Sequence, residues 1–238
     1  MNGNIFPVVA DVTSQESLAA AASIVRSKEG YVSAVIACAG AAFEYNDRLF
    51  PMRLLPGAVS VSEAQESLWS IPIENFTKTF NLNISGAFYT VVAFLDLLDA
   101  ANKKFPAPHP KSQAIIVSSS AAFWRANVPY AYAASKAGAV HMTKQLSTTF
   151  APYKIRFNCL CPGWFPTEMT HEAPFLKNSA DPFVEGGIPA EVSPLERAGS
   201  AEDINGTILF MISRAGGYLS GSVQLTDGGT LSTIPASY

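Results

Sequence analysis

Short apolar runs alternate with longer segments of mixed polarity along most of the chain, and this alternation predicts strands separated by helices. The runs Ile5–Val9, Val32–Ala37, Ala114–Val117, Ile155–Leu160 and Ser222–Thr226 read as strands. Pro7 gives the first an edge character, because proline cannot donate to a ladder. The second is apolar on both faces, which suits a parallel sheet. Ser14–Lys28 reads as a helix, opened by the capping signal Thr13-Ser-Gln-Glu16 and closed by Gly30. A long helix from about Ile73 to Asn102 carries Phe76, Phe80, Ile84, Ala87, Val91, Phe94 and Leu98 on one stripe, interrupted by Asn83 and Gly86. Tyr132–Thr149 and Ala201–Arg214 complete the helices.

Two connections are long for a compact α/β unit. Residues 41–70 show no clean period and read as an irregular insert, a functional loop or an interaction element. Pro162–Pro194 holds Trp164, Phe165, His171, Phe175 and Phe183, which suit an apolar lid over about 164–194. The alternation predicts one α/β domain over 1–238, a Rossmann-like doubly wound parallel sheet with helices on both faces. Ligands of such sheets bind past the carboxyl ends of the strands, where Gly40, Ser119 and Pro162-Gly163 fall.

A length of 238 residues fits that single domain. A net charge of −3 with no basic block argues against nucleic acid or an anionic membrane as the main partner. No run approaches the ~18 apolar residues of a spanning helix, and Met1–Pro7 lacks the pattern of a signal peptide. Three cysteines do not suggest a disulfide framework, so a reducing, cytoplasmic compartment is expected. Cys159 and Cys161 alternate along a strand, and His109, His141 and His171 stand at no metal-ligand spacing from them; no metal is expected.

The stretch Ser118–Lys136 carries the chemistry. A strand ends in Ser118-Ser119-Ser120, and a helix then presents Tyr132 and Lys136 four residues apart, hence on one face. An ammonium beside a phenol favours the phenolate, so this spacing predicts a lowered Tyr132 pKa and a phenol able to give or take a proton. A Tyr-Lys pair alone also fits a surface lysine packing its stem over a tyrosine. The serines at the strand end add a group to hold a substrate oxygen.

These motifs, taken in order, resemble the short-chain dehydrogenases/reductases from Asp11 almost to the C-terminus. Asp11-Val12-Thr13 resembles that family's segment against the adenine, and Cys38-Ala39-Gly40 the latter part of its Asn-Asn-Ala-Gly turn. Asn83-Ile-Ser-Gly86 resembles the helix segment with its catalytic Asn, and Ser119, Tyr132 and Lys136 match its Ser and Tyr-x-x-x-Lys positions. Pro162-Gly163-Trp-Phe165-Pro-Thr167 resembles the loop that touches the nicotinamide carboxamide. Leu195–Gly199 and Asp227-Gly228-Gly229 resemble C-terminal landmarks. The resemblance implies NAD or NADP as cofactor and hydride transfer between a carbonyl and a secondary alcohol. Tyr132 would be the acid/base, Lys136 would lower its pKa and hold the ribose, Ser119 would hold the substrate oxygen, and Asn83 would position a relay water. Cofactor contacts are implied for Asp11, Val12, Ala39, Gly40, Tyr132, Lys136, Pro162, Gly163, Phe165 and Thr167. Ser118, Ser120 and Tyr130 are rivals to the assigned serine and tyrosine. The resemblance also implies a homodimer or homotetramer built on the two long helices. The loop aromatics imply a bulky or apolar small-molecule substrate.

Three departures stand beside the match. Ala37 replaces the first Asn of the turn. The Gly40–Asn83 interval is roughly twenty residues longer than usual. The family's first strand, Gly-x-x-x-Gly-x-Gly turn, helix and second strand have no counterpart after Met1, so the expected fold is N-terminally truncated and lacks the phosphate-binding loop. In the doubly wound order this would leave Ile5–Val9 about 14 Å from Val32–Ala37. An earlier chain start, direct pairing of the two strands, or a partner in the gap would each resolve it. The missing cradle keeps two other readings open: a cofactor-independent isomerase, dehydratase or cyclase using the same residues, and a non-catalytic binding subunit.

Overall fold

A computed structural model describes residues 5–43, 60–125 and 129–237. Its sheet has four parallel strands in the order β1-β2-β3-β4: β1 Ala34–Ala37, β2 Gln113–Val117, β3 Arg156–Pro162 and β4 Val223–Thr226. α1 Gln15–Lys28 precedes β1, and the helices between the strands are α2 Val61–Trp69, α3 Ile73–Phe80, α4 Ala87–Ala93, α5 Leu95–Lys104, α6 Tyr130–Phe150, α7 Pro174–Lys177 and α8 Ala201–Ile212. Sequential parallel order needs a crossover after each strand, and α-helices supply it.

Strand periodicity sorts the core into two layers. Ala114 and Ile116 of β2 and Phe157 of β3 face one side, where they pack on Val91 of α4, Leu98 of α5 and Ala139 of α6. Ile115 and Leu160 face the other side and pack on Met211 of α8. Each such fully buried aliphatic or aromatic side chain contributes about 1.5–3 kcal/mol. The buried amides of β2 and β3 are paired: Asn158 Nδ2 donates to Gln113 Oε1 and to Leu219 O, and Gln113 Nε2 donates to Met211 O. These bonds tie the end of α8 to the middle of the sheet. The Rossmann-like parallel α/β architecture expected from the sequence is present.

Several expectations change. Residues 5–9 form no strand, and among the described residues β1 pairs with β2 alone. Pro7 lacks a donor, and a strand without a neighbour gains no ladder; Ile5 and Val9 lie exposed. The segment 41–70 is not wholly irregular. Ser60 and Glu63 close a capping box at the start of α2, while 44–59 lie outside the described residues. The predicted helix 73–102 is three helices, with a π-helical turn at Asn81–Gly86 and a 42° bend at Phe94. No single helix among the described residues is long and apolar enough to cross a membrane. α6 begins two residues before the expected start, directly after Pro129.

The connection between β3 and α8 has its own small core: Ala173, Leu176, Ile188, Val192 and Ala198, with Trp164 and Phe175 against it. Its exit is fixed at the start of α8. Ser200 caps the helix against Asp203, and Arg197 grips the Asp203 carboxylate with both terminal nitrogens at 2.7 and 3.1 Å. The guanidinium holds that carboxyl well below its usual range. A depressed carboxylate pKa adds stability above the unfolded value near 4, and that stability is lost as pH falls through the folded value. Asp203→Asn is expected to lower Tm by about 2–4 °C at neutral pH, from a loss on the order of 1 kcal/mol. The gap to the parent protein should narrow as the pH is brought below 4, because the unfolded parent then takes up a proton that folded Asp203 still resists. Thermal melts at neutral and acid pH check both points, and a gap that widens on acidification would contradict the assigned cause.

Candidate active site

Three strand ends and two helices meet beyond the carboxyl edge of the sheet. β2 delivers Ser118 and Ser119. The Ser118 N–H donates to Leu160 O at 2.7 Å, which places the end of β3 and Pro162-Gly163 alongside. The Ser119 hydroxyl accepts from Ala121 N, capping the 3-10 turn Ser120–Phe123, and is hydrogen-bonded to the Tyr132 phenol. The rivals are accounted for. Ser118 Oγ donates to Lys136 O at 2.7 Å, Ser120 is buried in the 3-10 turn, and Tyr130 is an exposed first residue of α6.

Lys136 is almost wholly buried. Its Nζ lies 5.7 Å from the centre of the Tyr132 ring and donates to Val117 O at 3.1 Å. Two of its three N–H groups have no partner among the described residues. The turn after β1 closes on it: a Cβ placed on Gly40 would lie 2.9 Å from Lys136 Nζ and 3.1 Å from Asn83 Oδ1.

Asn83 sits in the π-helical turn, where the stripe of the long helix is broken. Its Oδ1 accepts from Ala41 N at 3.0 Å, and its Nδ2 donates to Ala41 O at 3.0 Å and to Ser135 Oγ at 2.9 Å. Ser135 Oγ in turn donates to Tyr132 O at 2.8 Å. One amide therefore joins the β1 turn, the π-helical turn and α6. π-helical turns are frequent at functional sites. Ser135 is a member of this set that the motif reading missed, since a serine inside a helix carries no signal of its own.

The electrostatics reverse one expectation. Burial holds the Tyr132 phenol above its usual pKa, and the hydrogen bond with Ser119 pulls only partly back. Burial likewise pushes Lys136 below the usual lysine value. The helical spacing brings Lys136 and Tyr132 onto one face as expected. The ammonium turns toward Val117 O and Gly40, so desolvation rather than the lysine charge governs the phenol. Burial accordingly favours the protonated phenol in this state. The thiols of Cys159 and Cys161 are buried nearby, hydrogen-bonded to each other at 3.8 Å and not joined in a disulfide, and Cys38 is exposed.

The remaining expected positions have contacts of their own. Val12 packs on Gly86, one turn from Asn83. The Asp11 carboxylate accepts from both N–H and O–H of Thr13 and so is already engaged at the foot of α1. Ala39 lies in the turn between β1 and Gly40. Gly163 N donates to Thr226 O at 2.9 Å, and Phe165 packs its ring on Gly199. Thr167 is exposed and hydrogen-bonded to Thr170. Trp164, Phe165, Leu195 and Leu225 line a cavity of about 430 Å³ beside the ends of β3 and β4.

A family model described as "Enoyl-(Acyl carrier protein) reductase" matches residues 55–230. The short-chain dehydrogenase/reductase PhomF of Diaporthe leptostromiformis is 42% identical over 238 residues, covering 100% of this chain and 78% of that protein. The chain belongs to the short-chain dehydrogenase/reductase family. A second member of the family, VdtF of Byssochlamys spectabilis, is 34% identical over 254 residues, covering 100% of this chain and 80% of that protein. Among solved structures, the Pseudomonas aeruginosa RhlG/NADP active-site complex superposes with a TM-score of 0.69 at 22% identity, over 94% of this chain and 75% of that one. Membership in the short-chain dehydrogenase/reductase family makes the chain an oxidoreductase enzyme with a Rossmann-like sheet, as the ordered motifs implied.

Proposed function

We propose that this oxidoreductase reduces the carbonyl of a bulky or apolar small molecule, with NADH or NADPH as hydride source and Tyr132 as the proton donor. The observation that carries the proposal is the hydrogen-bonded Ser119–Tyr132 pair backed by the buried Lys136 ammonium. Two hydroxyls side by side suit one carbonyl oxygen, which accepts from both. As the carbonyl carbon gains hydride, negative charge grows on that oxygen, and the Tyr132 proton moves to it. A bound nicotinamide dinucleotide would supply that hydride.

The residues present fit such a cofactor. Among the described residues Lys136 has two donors to spare in a buried position, which suits a ribose diol. The glycine at 40 lets the backbone come close where a Cβ would strike Lys136. Pro162, Gly163, Phe165 and Thr167 would face the nicotinamide end, and Asp11, Val12, Ala39 and Gly40 the ribose and adenine. The 238 residues carry no Gly-x-x-x-Gly-x-Gly turn, so these contacts are the ones this chain itself would offer. Asn83 holds the 40–41 turn against α6, and the relay water implied by the family resemblance would lie beside it. Residues 164–194 form the lid of the proposed single domain. Exposed Ile73, Phe76, Tyr89 and Val92 on the α3–α4 helices support a homodimer or homotetramer.

Calorimetric titration with NADH and NADPH, followed by turnover on an aromatic ketone panel, tests the reading. Micromolar binding of at least one of them is expected. Absence of binding by both would overturn it and leave the acid/base set without its redox partner.

A further inference from the structure

The end of the connection between β3 and α8 returns to the sheet beside the tips of β3 and β4, and a space remains between them. This is the cavity of about 430 Å³. None of Asn83, Ser119, Tyr132 and Lys136 lines it. Backbone geometry fixes its walls. Gly228 and Gly229 follow β4 in the left-handed region, at φ 61° and 84°. The Asp227 carboxylate ties that turn down, one oxygen accepting from Gly229 N and the other from Leu231 N. Across from it, Leu195 N donates to Gly228 O at 3.3 Å. Glu196 stands at φ 53° without being glycine, a strained conformation of the kind found at ligand clamps. It lies between Leu195 and Arg197, both of which line the cavity.

Five apolar side chains supply much of the lining: Trp164, Phe165, Pro194, Leu195 and Leu225. Leu195 is 57% exposed, and a molecule in the cavity would take it out of water. The polar side chains of the lining are nearly all engaged with the protein. Ser193 Oγ donates to Gly228 O, the Thr226 and Thr207 hydroxyls share a hydrogen bond, and both Asp227 oxygens are taken. The Asp203 carboxylate is held by Ser200 N and by Arg197. Arg197 is the exception. A guanidinium has five N–H groups, and here they reach Ala198 O and the two Asp203 oxygens through three bonds. The other two N–H groups have no partner among the described residues. They can only donate, so they fit an acceptor. Charge narrows the choice further. Two carboxylates and one guanidinium line the cavity, a negative surplus that disfavours an anion. Both carboxylates already carry hydrogen bonds, so a cation gains little there.

We infer that this cavity binds a neutral, planar molecule of two or three fused rings, whose acceptor oxygen takes a hydrogen bond from Arg197, at a site separate from the reacting hydroxyls. Flat rings match Trp164 and Phe165. An apolar concavity with one placed donor is the usual form of a small-molecule site. Phe165 belongs both to this lining and to the loop assigned to the nicotinamide, and its ring is set against Gly199, where a Cβ would lie 2.4 Å from it. The occupant therefore rests against that loop. The inference concerns binding alone and does not rest on the reductase reading.

The test measures binding to the full chain by calorimetry with no dinucleotide added. Coumarin, naphthalene and coumarin-3-carboxylate share a two-ring shape and present a neutral acceptor, no acceptor and a negative charge. Coumarin is expected to bind about tenfold more tightly than naphthalene, the worth of one hydrogen bond from a charged donor, and more tightly than the carboxylate. Leu195→Trp fills the cavity from an exposed position and should abolish coumarin binding. Leu209→Trp, the same exchange at an exposed position of α8 outside the lining, should hold it within about twofold. Tyr132→Phe should leave it unchanged, because the hydroxyl pair lies outside the cavity. No coumarin binding to the wild type, equal binding of coumarin and naphthalene, or tightest binding of the carboxylate would each overturn the inference. So would coumarin binding that survives in Leu195→Trp or is lost in Tyr132→Phe. Should Leu195→Trp not fold, nuclear Overhauser contacts from coumarin to the methyl groups of Leu195 and Leu225 in the wild type are expected, and their absence overturns the inference equally.

Discussion

Tyr132→Phe is expected to slow carbonyl reduction by about 10²–10⁴-fold, the usual contribution of a positioned general acid. The substitution removes one oxygen from a side chain held in place by α6, so the ring still fills its site and Tm should move little. Binding of NADH or NADPH should persist, because Lys136 remains free to donate. The direction of the pKa shift adds a second check. Burial keeps the Tyr132 proton on the phenol above its usual value, so reduction should hold steady through mildly alkaline pH and fall only beyond the ordinary phenol value near 10. The reverse reaction needs the phenolate, and its rate should climb over the same interval. Steady-state rates in both directions across pH would show this, and a reduction rate already falling near pH 7 would refute the proton-donor assignment.

Gly163→Ala is the second large effect expected, and it acts on folding before chemistry. A Cβ at this position would lie 2.6 Å from Asp227 Cα and 3.1 Å from Asp227 O. Both are backbone atoms and neither can swing aside. Relief requires the end of β3 to part from the end of β4, which breaks the Gly163 N–H to Thr226 O bond. Overpacking of this kind costs about 1–3 kcal/mol, a Tm loss of about 2–12 °C for a chain of this size. The same separation shifts Trp164 and Phe165 away from the hydroxyl pair, so kcat/KM should fall more steeply than the folded fraction. Thermal melts beside kinetics at a temperature where the variant is folded resolve the two. A variant with unchanged Tm would show that the strand ends are not in contact as described.

The strands β1 to β4 were legible because period-2 burial on two faces leaves unbroken apolar runs. Residues 5–9 have the same appearance, but a ladder is a property of pairs, and composition does not reveal whether a neighbour is present. α2 was passed over although Ser60 and Glu63 stand at capping-box spacing; the signal lay in a stretch without apolar period, and period outweighed it. Asn83 and Gly86 were visible as breaks in a stripe, yet a break alone does not distinguish a loop from a wider helical turn. The Tyr132–Lys136 spacing correctly gave a shared face. The direction of the ammonium and the depth of burial are tertiary facts, and they decided the phenol's protonation.

Lys136 has a further consequence through its two backbone links. Its ammonium holds the carbonyl of Val117, while its own carbonyl is held by the hydroxyl of Ser118. The strand end and the helix thus clasp each other in both directions through adjacent residues. Sliding one past the other would break both bonds at once, so the spacing between Ser119 and Tyr132 is insulated from breathing elsewhere in the sheet. The lysine is a rivet as well as a charge. Loss of activity on replacing it is therefore a mechanical fault as much as a chemical one.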